Sequence, residues 1–395
     1  MIKRIDLSQF KCFEKLGLPI GQLTLLTGLN GSGKSTVIQA LVVLHQTIIE
    51  NEWSTELLLD GSKISLGTVG DVIDQVSGRN QFMIGLDWEG INCQWNMETI
   101  DSDRTPLSVP LRSIQWDGRP FTELQLPNAQ PVHFFLPNEI IEVEQNEKSQ
   151  SLAKALQDLV YISAERCGPR ETYSLSTAKH KIDVGRNGDR APAVIYNNPY
   201  REVSTSLCLA EYSSILPRQV EAWMNTFFPG AGIDIQPVKN ASMVTLGLRT
   251  SPSDDFQRPQ NVGYGLSHIL PIITACLVAK VGEILLIENP EVHMHPAGQT
   301  LIGSFLAKVA ATGVQIILET HSDHVLNGVR RAVREKTLAP SQVQIHFFTR
   351  RTQNEDTGSQ VNTITVQENG GLDSWPDGFF DQFDKDLSFL TGWDA

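Results

Sequence analysis

The apolar run Leu23-Thr24-Leu25-Leu26-Thr27 ends in Gly28-Leu29-Asn30-Gly31-Ser32-Gly33-Lys34-Ser35-Thr36 and passes directly into an amphipathic segment carrying Val37, Ile38, Leu41 and Val42. A β-prone strand, a loop reading G-x-x-x-x-G-K-S and a helix in immediate succession make a phosphate-binding loop. Glycines at 28, 31 and 33 let the backbone turn sharply and aim N–H groups at phosphate oxygens, and a helix starting near Lys34 adds the positive end of its dipole. Lys34 is expected at the β- and γ-phosphates and the Ser35 hydroxyl at a Mg²⁺ ion, which keeps several of its own waters. A glycine-rich turn without a ligand is the weaker reading, because the flanking strand and helix are both present.

Length and charge limit what the rest of the chain does. The 395 residues suit two to three domains or one elaborated α/β domain, and 41% hydrophobic with 19% charged residues describes an ordinary globular protein with ample core. No run approaches the roughly 18 apolar residues of a membrane span, and Met1-Ile2-Lys3-Arg4-Ile5-Asp6 lacks the apolar core of a signal peptide, so a cytoplasmic protein without a membrane partner is expected. Cys12, Cys93, Cys167, Cys208 and Cys276 are scattered with no C-x-x-C pair, which argues for reduced, mostly buried thiols. The net charge of −13 repels nucleic acid overall, so a DNA contact requires a local basic patch.

Along the chain, residues 1–27 read as strand, turn, strand, and a helix covers 34–50. Up to about residue 136 the signals are those of hairpins: Met83 to Trp88 and Ile91 to Trp95 flank Glu89-Gly90, and Ile114-Gln115-Trp116 continues through Asp117-Gly118. An antiparallel β lobe inserted after the first helix is therefore expected. Residues 139–160 have helical spacing. In the second half Ile284 to Ile287 and Gln315 to Leu318 are short apolar strands, each ending in a carboxylate, with a crossover helix between them marked by Leu301, Ile302, Phe305, Leu306 and Val309. A further helix through Val325, Leu326 and Val329 and a strand over 343–348 extend the βαβ succession, which brings Glu288 and Glu319 to the rim of the phosphate loop. The polar residues 351–360 read as a loop.

These stretches resemble a known family. Gly28 to Ser35 looks like a Walker A motif, Ile284 to Pro296 like the Walker B and D-loop of ABC-type ATPases, and Glu319-Thr320-His321-Ser322-Asp323 like their switch histidine segment. Asn261-Val262-Gly263-Tyr264-Gly265-Leu266-Ser267-His268 occupies the place of the ABC signature; it departs from L-S-G-G-Q but resembles the version in SMC-related and overcoming-lysogenisation-defect proteins. Tyr161 to Arg170 and Gly371 to Asp381 fit the ABC-like AAA ATPases of bacterial defence loci that end in a domain of unknown function. The resemblance covers essentially the whole chain and implies an α/β fold, an ABC/SMC-type P-loop NTPase head with an antiparallel β lobe and a helical insertion. Its parts would be 1–136, the N-terminal ATPase part; 137–260, a helical and mixed middle; 261–350, the C-terminal ATPase part; and 351–395, a small cap.

The resemblance also implies roles. Asn30, Gly31, Ser32, Gly33, Lys34, Ser35 and Thr36 would hold ATP, with Gly265 and Ser267 of a second protomer closing over the γ-phosphate; Ser35 and Glu288 would hold Mg²⁺. Glu288 takes the Walker B place, usually Asp, yet the catalytic glutamate that usually follows is Asn289, and an amide cannot accept a proton from water. Three readings stand: Glu291 is the base, Glu319 is the base, or ATP is turned over slowly; slow turnover is favoured. For Glu291 the plainer alternative is a carboxylate at a helix N-terminus after Pro290. His321 would approach the γ-phosphate, with Ser322 or Asp323 capping the next helix. His293 and His295 lack the companions of a zinc site and would face the partner in a D-loop. Arg166 and Arg170 are either phosphate or partner contacts or part of a solvated loop.

The function implied is a nucleotide-gated sensor or scaffold in antiphage defence, working as a homodimer or higher oligomer and controlling a separate effector protein, a nuclease or toxin. The rivals are a nuclease-associated ATPase acting directly on DNA and an SMC-like repair or recombination ATPase. Against a built-in nuclease stands the short stretch 322–395, where overcoming-lysogenisation-defect chains carry a Toprim domain; Asp381, Asp384 and Asp386 there read as a helix start.

Overall fold

In the computed structural model the described residues are all but 75–79, 100–103, 123, 125–129, 143–146, 176–181, 350–359, 393–395 and the side chain of Asp384. In chain order the elements used below are β1 (Ile2–Phe10), β2 (Phe13–Pro19), β3 (Leu23–Gly28), α1 (Lys34–Glu50), β4 (Glu56–Leu58), β5 (Gln81–Trp88), β6 (Ile91–Glu98), β7 (Ser108–Trp116) and β8 (Arg119–Phe121). There follow α2 (Glu147–Gln157), β9 (Thr172–Ser174), α3 (Ala191–Asn197), α4 (Leu216–Phe227), β10 (Gly232–Pro237), β11 (Met243–Arg249) and α5 (Tyr264–Val278). The last part of the chain holds β12 (Ile284–Glu288), α6 (Pro296–Ala310), β13 (Gln315–Glu319), α7 (Asp323–Arg334), β14 (Val343–Phe348), β15 (Val361–Ile364) and α8 (Gln382–Thr391). The chain forms two compact units: Met1–Gly21 with Gly31–Tyr161 and Gly282–Ile284, and Gln22–Asn30 with Ile162–Val281 and Leu285–Ala395.

The first unit is built on an antiparallel sheet in the order β2-β1-β5-β6-β7-β4, with β8 beside β7. Its two tight turns have the sequence chemistry their geometry needs. Glu89 and Gly90 have φ of 53° and 84° and join Trp88 to Ile91, and Asp117 and Gly118, at 49° and 82°, join Trp116 to Arg119. Two consecutive left-handed residues match the strand twist, so both hairpins fall where they were expected. The lobe is not an insertion lying wholly after α1, however, because β1 pairs with β5 along Ile5↔Leu86 and Leu7↔Ile84 and so carries β2 into the same sheet. Alternation puts Ile84, Leu86, Trp95 and Ile114 inside, and the Trp95 indole N–H, fully buried, donates to the Phe135 carbonyl at 2.6 Å.

Helix α1 is buried on nearly every face, so its polar side chains bond the backbone around it. The His45 Nδ1 lies 2.6 Å from the Leu156 carbonyl of α2, Gln46 donates to Leu58 O and accepts from the Ile64 N–H, and Thr47 Oγ1 accepts from the Leu58 N–H. The helical segment expected over 139–160 is in part α2, preceded by a short helix Asn138–Ile141.

In the second unit β12, β13, β3, β14 and β15 lie side by side in that order. Strands β13 and β14 run parallel to β3, with Glu319 opposite Leu26 and Phe348 opposite Gly28, and β15 is antiparallel to β14. Ile284 to Ile287 and Ile316 to Leu318 are completely buried, as strands covered on both faces require. A smaller sheet has the order β9-β11-β10. The five cysteines are free thiols, with Cys93 and Cys276 buried and their pKa values raised by desolvation. Among the described residues no helix is long and apolar enough to cross a membrane. The expected loop 351–360 lies almost entirely outside the described residues. Asp381 precedes α8, accepting from the Gly378 N–H and pairing with Lys385, as a helix start should.

Candidate nucleotide site

Strand β3 ends at Gly28, whose φ of 127° and 2.2 Å clearance from a built Cβ to the Phe348 carbonyl admit no side chain. The chain then runs through exposed Leu29, Asn30 and Gly31 to buried Ser32 and to Gly33, which precedes α1. Gly33 has φ 104°, and a Cβ there would meet the Phe13 ring at 2.4 Å and Cys12 Sγ at 2.7 Å. Both glycines are therefore required by local geometry, independent of any ligand. Gly33, at the N-cap, offers no side chain to α1, and no acidic residue lies in the first turn. A helix N-terminus after a left-handed glycine loop suits a phosphate, whose charge the N–H groups and dipole stabilise. Lys34 is 3% exposed and Thr36 6%, whereas Ser35 is partly accessible.

The neighbouring strand ends carry the acids. Glu319 ends β13 two places short of the level of Gly28; its carbonyl accepts the Asn289 N–H at 2.8 Å, and Thr320 N–H donates to Leu26 O. Glu288, half-buried at the end of β12, accepts the Ala164 N–H at 3.0 Å. The His321 imidazole is 41% exposed, with Nε2 4.0 Å from Glu319 Oε1. Ser322 caps α7 by accepting the Val325 N–H at 3.1 Å, so the expected cap is present, and its hydroxyl donates to Gln299.

Two placements differ from expectation. Glu291 lies in a turn, not at a helix N-terminus; α6 starts only at Pro296, and His295 caps it. Its Oε1 accepts the His321 backbone N–H at 2.9 Å, Oε2 is buried without a hydrogen bond, and burial raises its pKa. Ser267, expected at an outward-facing helix start, is 8% exposed with an unpartnered Oγ, because Gly265 sits against the His293 carbonyl and draws the first turn of α5 inward. His293, at φ 63°, is exposed, with its ring edge-on to His268 at 4.8 Å and 5.5 Å from Tyr264. Burial, helped by Arg166 and His293, lowers His268 to about 4, so its own imidazole is neutral at physiological pH.

Arg166, a candidate phosphate or partner contact or loop residue from the sequence, has a role that the sequence did not suggest. Its guanidinium, 5% exposed, donates to the carbonyls of Ser163, Glu288 and Asn289, the last two at 2.7 and 2.5 Å, and so clamps the turn after β12. Burial lowers its pKa to about 10 while Glu291 and Glu288 oppose that, so it stays charged. Asn289 is held at φ 44°, a left-handed conformation that Asn tolerates better than most residues. Arg170 is exposed.

A strand ending in Gly28 at the carboxyl edge of a parallel sheet, beside strand ends bearing Glu288 and Glu319, and continuing in sequence through a glycine-rich loop to a helix, defines an α/β P-loop ATPase of the ABC/SMC-like class. Residues 120–327 match the family described as "AAA domain, putative AbiEii toxin, Type IV TA system", and the chain belongs to that AAA family. Residues 338–390 match a protein of unknown function, DUF3696. A 41-residue stretch is 44% identical to the OLD nuclease of Thermus scotoductus; it is 10% of this chain and spans only 8% of that protein. Among solved structures, an SmcHead bound to the C-winged helix domain of ScpA has 14% identity and a TM-score of 0.49, covering 93% of this chain and 98% of its own. The SMC head domain from Thermotoga maritima has 11% identity and a TM-score of 0.41, over 93% and 99% of the two chains. An Smc head domain with an extended coiled coil bound to the C-terminal domain of ScpA from Pyrococcus furiosus has 12% identity and a TM-score of 0.47, over 100% and 99%.

Proposed function

We propose that the chain binds ATP with Mg²⁺, hydrolyses it slowly, and acts as a nucleotide-gated sensor or scaffold in antiphage defence, pairing with itself around the nucleotide and controlling a separate effector. The observation that carries the nucleotide part is the loop 28–36, with its left-handed glycines leading into the N-terminus of α1. The defence part rests on the family description and on the short likeness to the OLD nuclease. That likeness also favours a second reading, an ATPase that works directly with a nuclease on DNA.

In this reading Lys34 would place a point charge on the β/γ-phosphates, the loop N–H groups would hold the remaining oxygens, and Ser35 and Glu288 would hold the metal. Mg²⁺ would supply charge neutralisation of the phosphates when bound. His321 approaches the γ-phosphate from the end of β13. The Asn289 amide would not accept a proton from an attacking water. Glu291, buried and raised in pKa, is the alternative base, although its Oε1 is already committed to the His321 N–H.

Phosphate release measured at steady state separates these roles. Slow wild-type turnover is expected, and Asn289→Glu should raise it, by up to the ~10²-fold at the low end of a positioned base. Glutamate is less at ease than Asn in the left-handed region, so the same variant should lose on the order of 1 kcal/mol of stability. Fast wild-type turnover destroyed by Glu291→Gln would make Glu291 the base and refute the assignment of Asn289.

A further inference from the structure

Helix α7 carries Arg330, Arg331 and Arg334 in its last turns, and Lys336 follows. Together with Asn327 and the turn 369–371 these arginines line a groove of about 440 Å³ that no carboxylate enters among the described residues. Arg330 is already oriented: its Nε donates to the Gly370 carbonyl at 2.8 Å, its Nη1 to Asn327 Oδ1 at 2.8 Å, and its guanidinium lies 5.7 Å from the Trp375 ring centroid. Two of its five N–H groups are used, leaving the rest for a ligand. Arg331 and Arg334 are exposed, and neither forms an ion pair among the described residues. At spacings of three and four residues the three cations repel each other on adjacent faces, a cost an anion in the groove would relieve.

We propose that this groove binds the phosphate backbone of nucleic acid. A planar guanidinium fork matches phosphate geometry, and one held in place by backbone and side-chain acceptors loses less freedom on binding than a free one. The chain carries a net charge of −13, so an unpaired cluster of this sign is a local exception to its surface. Helix-dipole stabilisation alone would also place cations at the end of α7, but it needs neither the oriented Arg330 nor a groove beside it.

The test is fluorescence anisotropy of a labelled duplex and a labelled single-stranded oligonucleotide, titrated with the full chain at several salt concentrations and without nucleotide, so that the result is independent of the ATPase reading. The wild type should bind at least one probe, and Arg331→Glu with Arg334→Glu should weaken it by at least about tenfold and flatten the salt dependence of log K by about two for duplex. Arg112→Glu with Arg119→Glu, an equal change of charge elsewhere on the surface, should have much the smaller effect. Thermal melting verifies that both variants are folded. No binding of either probe at low salt, or equal losses in the two variants, overturns the proposal. Retention of inorganic pyrophosphate but not of oligonucleotide also overturns it, by making the groove a small-phosphate site.

Discussion

Lys34→Ala should weaken ATP binding about 10- to 150-fold in calorimetric titration, because one charge-assisted contact to the phosphates is worth about 1.5–3 kcal/mol. The loop would retain only neutral N–H groups and the α1 dipole. Since the Lys34 side chain is almost wholly buried, alanine also leaves unfilled volume. Lys34→Met keeps most of the stem and removes only the charge, and it should lose ATP to a similar degree while melting like the wild type. Near-unchanged affinity in a folded Lys34→Met protein would mean that the nucleotide binds elsewhere.

Arg166→Ala should cost about 3–5 kcal/mol, the range for deleting one partner of a buried charged network. The substitution strands the carbonyls of Ser163, Glu288 and Asn289 and removes the cation between Glu288 and Glu291. Arg166→Lys should recover part of this, since a single ammonium cannot fork between two consecutive carbonyls. Urea unfolding at an unchanged m-value measures both. A midpoint for Arg166→Ala equal to that of the wild type would show that the turn after β12 holds its shape without the clamp.

Much of this was legible in the sequence where local chemistry dictates geometry. The β3-loop-α1 succession, with α1 beginning at Lys34, follows from glycines that the backbone itself demands; the Glu89-Gly90 and Asp117-Gly118 hairpins follow from turn residues; the buried strands ending in Glu288 and Glu319 follow from unbroken apolar runs. What escaped depends on contacts far apart in the chain. Arg166 reads as a loop arginine because two of its three acceptors are backbone carbonyls more than a hundred residues away, which leave no trace in residue identity. The burial of Ser267 depends on the carbonyl of His293 meeting Gly265, and the joining of β1 to β5 on a register that no local pattern specifies. Glu291 follows a proline, an ordinary helix-start signal, yet the turn is set by the His321 N–H and by Arg166.

The burial of Ser267 also changes which residue probes the pairing of two chains. Ser267→Arg would disturb the packing of α5, whereas Gly263 is exposed, has nothing within 4 Å of a built Cβ and no left-handed φ, so Gly263→Arg should fold normally. If the γ-phosphate bound by one protomer is closed over by the α5 terminus of the other, the nucleotide contributes binding energy to association and only the triphosphate spans both surfaces. The decisive measurement is the solution mass, by sedimentation or light scattering, of the wild type and Gly263→Arg with ATP, with ADP and without nucleotide. A wild-type dimer that forms or tightens with ATP alone, and a Gly263→Arg protein that binds ATP but stays monomeric, is the predicted result. The same mass for both proteins under all three conditions would contradict it.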